Sequence, residues 1–364
     1  MSIPTTIKAL KSQPGEGLAI EEVPLSTNLA PYEVLVKTRA VGLNPTDWKH
    51  SIGGMWGDAG FVVGCDGAGD VVAVGSEVKH VQVGDRVGAF LYGTQHESNG
   101  AFAEYARYNS PSVWKLPEGM SFAEAASITV PILTAAQSLY FRHDLPYPST
   151  VKANTRPTEN ILIWGGSTAV GHHAIQLAHL SGQRVIAIAS ARNHEFLKSI
   201  GANVTIDYKD EDAVKQIRDS LDGLPLKRAL DTVCEKGSTR NVIDAIDPEG
   251  GYLTITLPVD DATSARRAEV KVEFVLAYTL ATRTPIAFGK AVPVPFIPED
   301  NARALAWNTH EQPALVDGWV EGKGSKCGYR TQKLRVGEGL EGVMEGLNIM
   351  KRGEYAAEKL VYNI

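Results

Sequence analysis

Cysteine is scarce in this chain: Cys65, Cys234 and Cys327 are the only three among 364 residues, and they stand far apart. That spacing offers no paired metal ligands and fits a reducing compartment. No apolar run approaches the roughly 20 residues that cross a bilayer. The opening MSIPTTIKALKSQPGEG has no apolar core of the secretory kind, so a cytoplasmic protein without membrane association is expected. There is no block of basic residues and the net charge is −6, which gives no electrostatic basis for nucleic acid or anionic membrane surfaces as partners. No internal repeat stands out. The length suffices for two domains and a substantial core.

What is present is concentrated in Ile161–Ser190, ILIWGGSTAVGHHAIQLAHLSGQRVIAIAS. Four apolar residues run into Gly165-Gly166, apolar residues then recur at helical spacing (Val170, Ala174, Ile175, Leu177, Ala178), and Gly182 ends the helix before a second strand. This strand, glycine turn, helix and strand predict a dinucleotide-binding unit, with the pyrophosphate on backbone N–H groups at the helix N-terminus. Gly166, Ser167, Thr168, Ala169 and Val170 are the candidate phosphate contacts. The spacing departs from G-x-G-x-x-G, with Thr168 where a glycine is often found, and a glycine turn in an α/β protein that binds no nucleotide stays open as the alternative.

The tip of the second strand reads Ser190-Ala191-Arg192-Asn193 and carries no carboxylate for a ribose 2′-hydroxyl. A nearby cation suits a 2′-phosphate, so NADPH fits better than NADH, with Ser190, Arg192 and Asn193 as contacts. Tyr208, at the end of the following strand, can face the same end of the cofactor. A solvated cation and a packing ring are the plain alternatives for Arg192 and Tyr208.

The first third, to about Leu116, has short β-type runs between glycine turns and predicts a compact barrel-like β domain. Ser121 and Glu124 have capping-box spacing ahead of a helix. The segment from His143 to Glu159 reads as an exposed loop, and the chain after Asp207 alternates helices and strands as a parallel doubly wound sheet does. Pro285–Pro298 contains four prolines and predicts no regular central strand. A helix over Gly339–Met350 and a final strand EKLVYNI close the chain.

In this order the motifs resemble the medium-chain dehydrogenase/reductase superfamily over almost the full length. AVGLNPTDWK (Ala40–Lys49) and GCDGAGDVVAVGSEVKHVQVGDRV (Gly64–Val87) are similar to its GroES-like catalytic domain. The resemblance implies that domain over 1–127, completed by 313–364, and a Rossmann cofactor domain over 128–312. In the zinc branch a Cys would replace Asn44 and a His-Glu pair Cys65-Asp66, and the region between Phe90 and Ala106 would carry structural cysteines. None of these ligands is in the sequence, so the zinc-less branch is the match and alcohol dehydrogenation is not expected.

Within that branch NPTDWK, the Pro-rich loop Leu145–Pro157, GGSTAVG and the prolines after Phe288-Gly289 most resemble fungal trans-acting enoyl reductases of the type that partners the lovastatin polyketide synthase. The resemblance implies hydride transfer from NADPH to the β-carbon of an α,β-unsaturated thioester, followed by protonation of the α-carbon. It implies a polyketide synthase partner supplying a carrier-bound substrate. The prolines argue for a monomer, because they would hinder pairing of edge strands.

Carried over residue by residue, the resemblance places Lys49 against the substrate thioester, Thr134 at a helix start beside the nicotinamide, and Asn44 in the vacated ligand position as an amide donor. Pro45, Leu257 and Phe288 fall around the cofactor, with Thr254–Pro258 under the nicotinamide. An exposed lysine, a structural small residue and a turn asparagine are the respective alternatives. Asp66 is read as shaping a turn, Cys65 as a small buried residue, and His172, His173 and His179 as ordinary helix residues with no metal. A quinone or alkenal reductase acting on free small molecules, and a non-catalytic NADPH-binding module, remain the rival readings.

Overall fold

The structure, a computed structural model, describes residues 3–54, 59–152, 156–286 and 294–364. Its strands in chain order are β1 (Thr6–Gln13), β2 (Gly17–Pro24), β3 (Glu33–Gly42), β4 (Asp66–Val74), β5 (Arg86–Phe90), β6 (Tyr105–Asn109), β7 (Val113–Lys115), β8 (Asn160–Trp164), β9 (Arg184–Ile188), β10 (Val204–Ile206), β11 (Leu226–Asp231), β12 (Gly251–Ile255), β13 (Val270–Phe274), β14 (Lys333–Glu338) and β15 (Glu358–Asn363). The helices that matter below are α1 (Pro45–Ser51), α2 (Phe122–Ala136) and α3 (Ala169–Leu180).

The chain forms two compact units, Met1–Val130 with Ala277–Ile364, and Pro131–Leu276. In the first unit β14, β15, β3, β4, β5 and β7 lie side by side, β6 pairs with β3, and β1–β2 form a separate hairpin. All neighbours are antiparallel except β14 and β15. Leu10, Val41, Leu43 and Phe102 pack with Leu340, Val343 and Leu347 of the Gly339–Arg352 helix and with Leu360. The final strand is thus built into the sheet and core of this unit.

The segment Ala277–Gln312 groups with the first unit, whereas the sequence reading placed it with the parallel sheet. Polar side chains explain the difference. Asn109 Nδ2 donates to Ala281 O at 2.6 Å and Asn308 Nδ2 to Pro111 O at 2.7 Å, while the Arg283 guanidinium lies 4.4 Å from the centre of the Tyr32 ring. Within the segment, Pro298–Ala306 is helical, and Ile286 and Val294 form an isolated antiparallel bridge.

In the second unit the strand order is β10-β9-β8-β11-β12-β13, and every neighbouring pair is parallel. The chain winds outward from β8 to β10, then crosses to β11, so the order reverses between β8 and β11. Open α/β sheets bind ligands at the carboxyl ends of the strands flanking such a reversal. The core is aliphatic, with Leu162, Ile186, Ile188, Val242, Ile243 and Leu253 almost fully buried. Edge strand β13 was not foreseen from the sequence.

The expected capping box opens α2. Ser121 N donates to Glu124 Oε2 at 3.0 Å and Glu124 N to Ser121 Oγ at 3.3 Å. Glycine is required at two positions in the turn after β8. Gly165 has φ +85°, and a Cβ on Gly171 would lie 2.2 Å from Gly165 O, so any side chain there pushes α3 off the turn. Gly171→Ala is therefore expected to cost about 1–3 kcal/mol; urea denaturation of the two proteins measures it, and a variant as stable as the parent contradicts the close approach.

Candidate functional site

At the reversal between β8 and β11, the second unit assembles a turn from two neighbouring strands. Thr232 Oγ1 donates to Trp164 O at 2.9 Å and lies 2.9 Å from Thr168 Oγ1, while Thr168 Oγ1 accepts from Gly171 N at 3.0 Å as the N-cap of α3. Asp231, fully buried, holds the next loop: Oδ1 accepts from Val233 N and Cys234 N, and Oδ2 from Ser238 Oγ and Thr239 Oγ1. Ala169 and Val170 open α3, so their N–H groups have no intrahelical acceptor, and both residues are half-buried. Partly exposed, unclaimed donors at the positive end of a helix suit a pyrophosphate.

Gly166 is buried, and a Cβ there would meet Ile175, Leu197 and Ala187, so it serves the packing of the turn. Ser167 is half-buried in the turn itself. Ser190, Arg192 and Asn193 follow β9, and Arg192 is exposed. Tyr208, 48% exposed, follows β10. Leu257 follows β12 and is half-buried. The structure therefore brings these expected cofactor residues to one edge of one sheet. Phe288 lies outside the described residues.

One acid near the β9 tip escaped the sequence reading. Asp207 reaches across from β10, and its carboxylate accepts from Lys209 N and Ala191 N, both at 3.0 Å. These backbone N–H groups hold its pKa below the ordinary value, so it stays charged with part of its acceptor capacity already used.

Two expectations for this unit change. Thr134 lies in the last turn of α2 rather than at its start, and is 7% exposed. Thr254 does not present its hydroxyl at the strand ends: it is fully buried, 2.6 Å from Ser138 Oγ and 3.1 Å from His143 Nε2. Burial pushes the His143 pKa down to about 3, so the ring is neutral in this core contact. His172 stacks on Phe196 with ring centroids 5.6 Å apart and pairs with Gln176, as a helix residue in a packed core. Among the described residues no group of three or more His, Cys, Asp and Glu side chains is arranged to hold a metal ion.

In the first unit a buried polar cluster surrounds the start of α1. Pro45 occupies the first turn, where its fixed φ and missing N–H suit a helix start, and it is exposed. Asn44 N donates to Asp47 Oδ2 at 2.7 Å, which secures that start. The Asn44 amide is also committed: Nδ2 donates to Asp66 Oδ2 at 2.9 Å, and Oδ1 accepts from Lys359 Nζ at 2.6 Å. Asn44 is thus a residue of this network, and the amide donor toward a ligand expected from the sequence is not what the geometry provides. Asp66 likewise does more than shape a turn. It is fully buried, and its Oδ1 accepts from Val130 N at 2.7 Å.

Lys49 lies in the last turn of α1, half-buried, with its ammonium 5.8 Å from the centre of the Trp48 ring. Thr46 Oγ1 hydrogen-bonds the Tyr278 hydroxyl, which lies 3.6 Å from Cys65 Sγ, and Tyr92 stacks on Tyr278 with centroids 4.0 Å apart. Burial, then the neighbouring Asp47, push the Cys65 thiol well up, so it stays protonated and unreactive. Lys359, Tyr278 and Asp47 were missed from the sequence. The available signal was the N-x-x-D capping spacing for Asp47, whereas Lys359 and Tyr278 stand in no local pattern that marks them.

The parallel sheet with its glycine turn and the antiparallel sheet with α1 define a medium-chain dehydrogenase/reductase. The family described as "Alcohol dehydrogenase GroES-like domain" matches residues 30–118, and "Zinc-binding dehydrogenase" matches residues 169–282. Within this oxidoreductase superfamily the chain belongs to the trans-enoyl reductase family. It is 34% identical to the trans-enoyl reductase resD of Aspergillus sclerotiorum over 98% of this chain and 99% of that one. It is 40% identical to the trans-enoyl reductase TOXD of Cochliobolus carbonum over 68% of this chain and 81% of that one. Among solved structures the CurK enoyl reductase shares the fold, with a TM-score of 0.73 at 20% identity over 99% of both chains.

Asp47 gives the cluster a measurable signature. Asp47 is buried, and that burial raises its pKa from 3.8 to about 7 against the opposing hydrogen bonds from Cys65 and Asn44 N. Between those values the folded chain keeps a proton that the unfolded chain releases, so this group lowers stability as pH rises through the window and no further above it. Asp47→Asn retains an acceptor for Asn44 N and removes the titration. Relative to the parent, the variant should gain stability from pH 4 to 7 and then level off; a stability difference that does not vary with pH in urea denaturation contradicts the assignment.

Proposed function

We propose that the protein reduces an activated C=C bond with NADPH, adding hydride to the β-carbon of an α,β-unsaturated thioester carried by a polyketide synthase. The observation that carries this reading is the edge of the parallel sheet. There the open N–H groups of Ala169 and Val170 and the exposed Arg192 and Tyr208 present donors for a dinucleotide with a 2′-phosphate. The names of relatives aligned over nearly the whole chain support the choice of reaction and of a synthase-bound substrate.

When bound, the nicotinamide supplies the hydride. The chain's own residues do the rest. Thr168 and Thr232 keep the phosphate turn in shape through their mutual contact. Arg192, with no side-chain carboxylate in its own loop, meets the 2′-phosphate together with Ser190, Asn193 and Tyr208. Lys49 donates to the thioester carbonyl, so that negative charge developing on that oxygen is stabilised while the β-carbon accepts hydride. A monomer is part of the reading, because the prolines that follow Phe288-Gly289 in the sequence lack the backbone donors that pairing of edge strands needs.

The test follows NADPH absorbance with a short unsaturated acyl-pantetheine thioester, and a quinone and a simple enone in parallel. Consumption with the thioester, weak or absent with the quinone, is the expected result. Turnover of quinone or enone alone points instead to a reductase of free small molecules, and binding without turnover to a non-catalytic module. Arg192→Ala should raise KM for NADPH about tenfold or more while leaving KM for NADH unchanged. An equal effect on both cofactors removes the 2′-phosphate assignment.

A further inference from the structure

One buried cation has no part in the chemistry above. Lys359 lies on β15 with its side chain 4% exposed, and its ammonium is 2.6 Å from Asn44 Oδ1 and 3.4 Å from Asp66 Oδ2. Asp66 Oδ2 also accepts from Asn44 Nδ2 at 2.9 Å, which closes a triangle of three buried side chains. Burial pulls the Lys359 pKa down, while Asp66 and then Asp47 oppose that shift.

The chemistry of the triangle determines one orientation of the asparagine. An ammonium only donates and a carboxylate only accepts. An amide between them satisfies both with its oxygen toward the lysine and its nitrogen toward the aspartate; flipped, it loses both bonds and faces each charge with the wrong end of its dipole. Asn44 is also the residue from which α1 starts, bonded through its own N–H to Asp47 Oδ2, while Ser51 Oγ at the far end of the helix bonds Asp47 O at 2.6 Å. The contacts therefore run without a break from Lys359 to both ends of α1.

We propose that Lys359 is a positioning residue: with Asp66 it holds the Asn44 amide in a single orientation and so fixes α1, the helix that carries Thr46 and Lys49. A buried ion pair is seldom worth more to stability than apolar residues of the same volume, so stability alone does not account for retaining a charge here. The catalytic part of this inference rests on the role given to Lys49 above, whereas the structural part does not.

Lys359→Met alone leaves the Asp66 carboxylate buried without its cation and is expected to fold poorly. The double variant Lys359→Met/Asp66→Asn removes both charges and is expected to fold, but Val130 N holds the oxygen of the new amide, its nitrogen then faces Asn44, and the parental orientation of Asn44 loses both of its charged partners. Hydrogen exchange by mass spectrometry should show amides of α1 exchanging about tenfold faster in the double variant, with those of β8 unchanged. Under the thioester assay kcat should fall about tenfold or more with KM for NADPH unchanged. Exchange in α1 at the parental rate overturns the proposal, as does faster exchange with a parental kcat. If the parent protein reduces none of the substrates, the functional reading fails on that result, and the exchange rates still decide whether Lys359 fixes the helix.

Discussion

The pairing of Lys359 with Asp66 through Asn44 is the constraint on which the first unit depends. Two opposite charges with almost no exposure are costly to desolvate, and they are tolerated only because each finds geometrically correct partners. Those partners come from four parts of the chain: β15, the β3–α1 junction, β4, and Val130 of α2. Their separation in sequence reaches 315 residues, so the cluster forms only when the C-terminal strand has joined the sheet. Beside the cluster Gly42 is required by the close approach of α2, since a Cβ at that position would lie 2.0 Å from Ala126 O.

A different constraint governs the second unit. Its central strands β8 and β9 are buried on both faces, so their backbone polar groups are satisfied along the ladders and chemistry is left to the loops at the strand ends. The Thr168–Thr232 contact ties together the loops on either side of the reversal in strand order, and Asp231 spends four hydrogen bonds on keeping the second loop in shape. A turn braced in this way holds its N–H groups in place before a ligand arrives, which reduces the ordering cost of binding.

Much of this was legible in the sequence. Ile161–Ser190 was readable because its signals are local: an apolar run, a glycine turn, a 3.6-residue period and a second apolar run. The helix over Gly339–Arg352 and the strand over Glu358–Asn363 were readable for the same reason. What could not be read depends on partners distant in the chain. The allegiance of Ala277–Gln312 is decided by Asn109 and Asn308, neither of which carries a local pattern. Asn44 looked like a donor for a ligand, and its actual orientation is fixed by a lysine near the other end of the sequence. Thr254 looked like a strand-end hydroxyl, and Ser138 and His143 hold it in the core.

The central claim is that this chain directs hydride to the β-carbon of an unsaturated thioester. The most direct measurement uses NADPH carrying deuterium at C4 with an unsaturated acyl-pantetheine, and locates the label in the product by NMR. The account predicts deuterium at the β-carbon, with a solvent-derived proton at the α-carbon. Label at the α-carbon, or in an alcohol from reduction of the carbonyl, would contradict it.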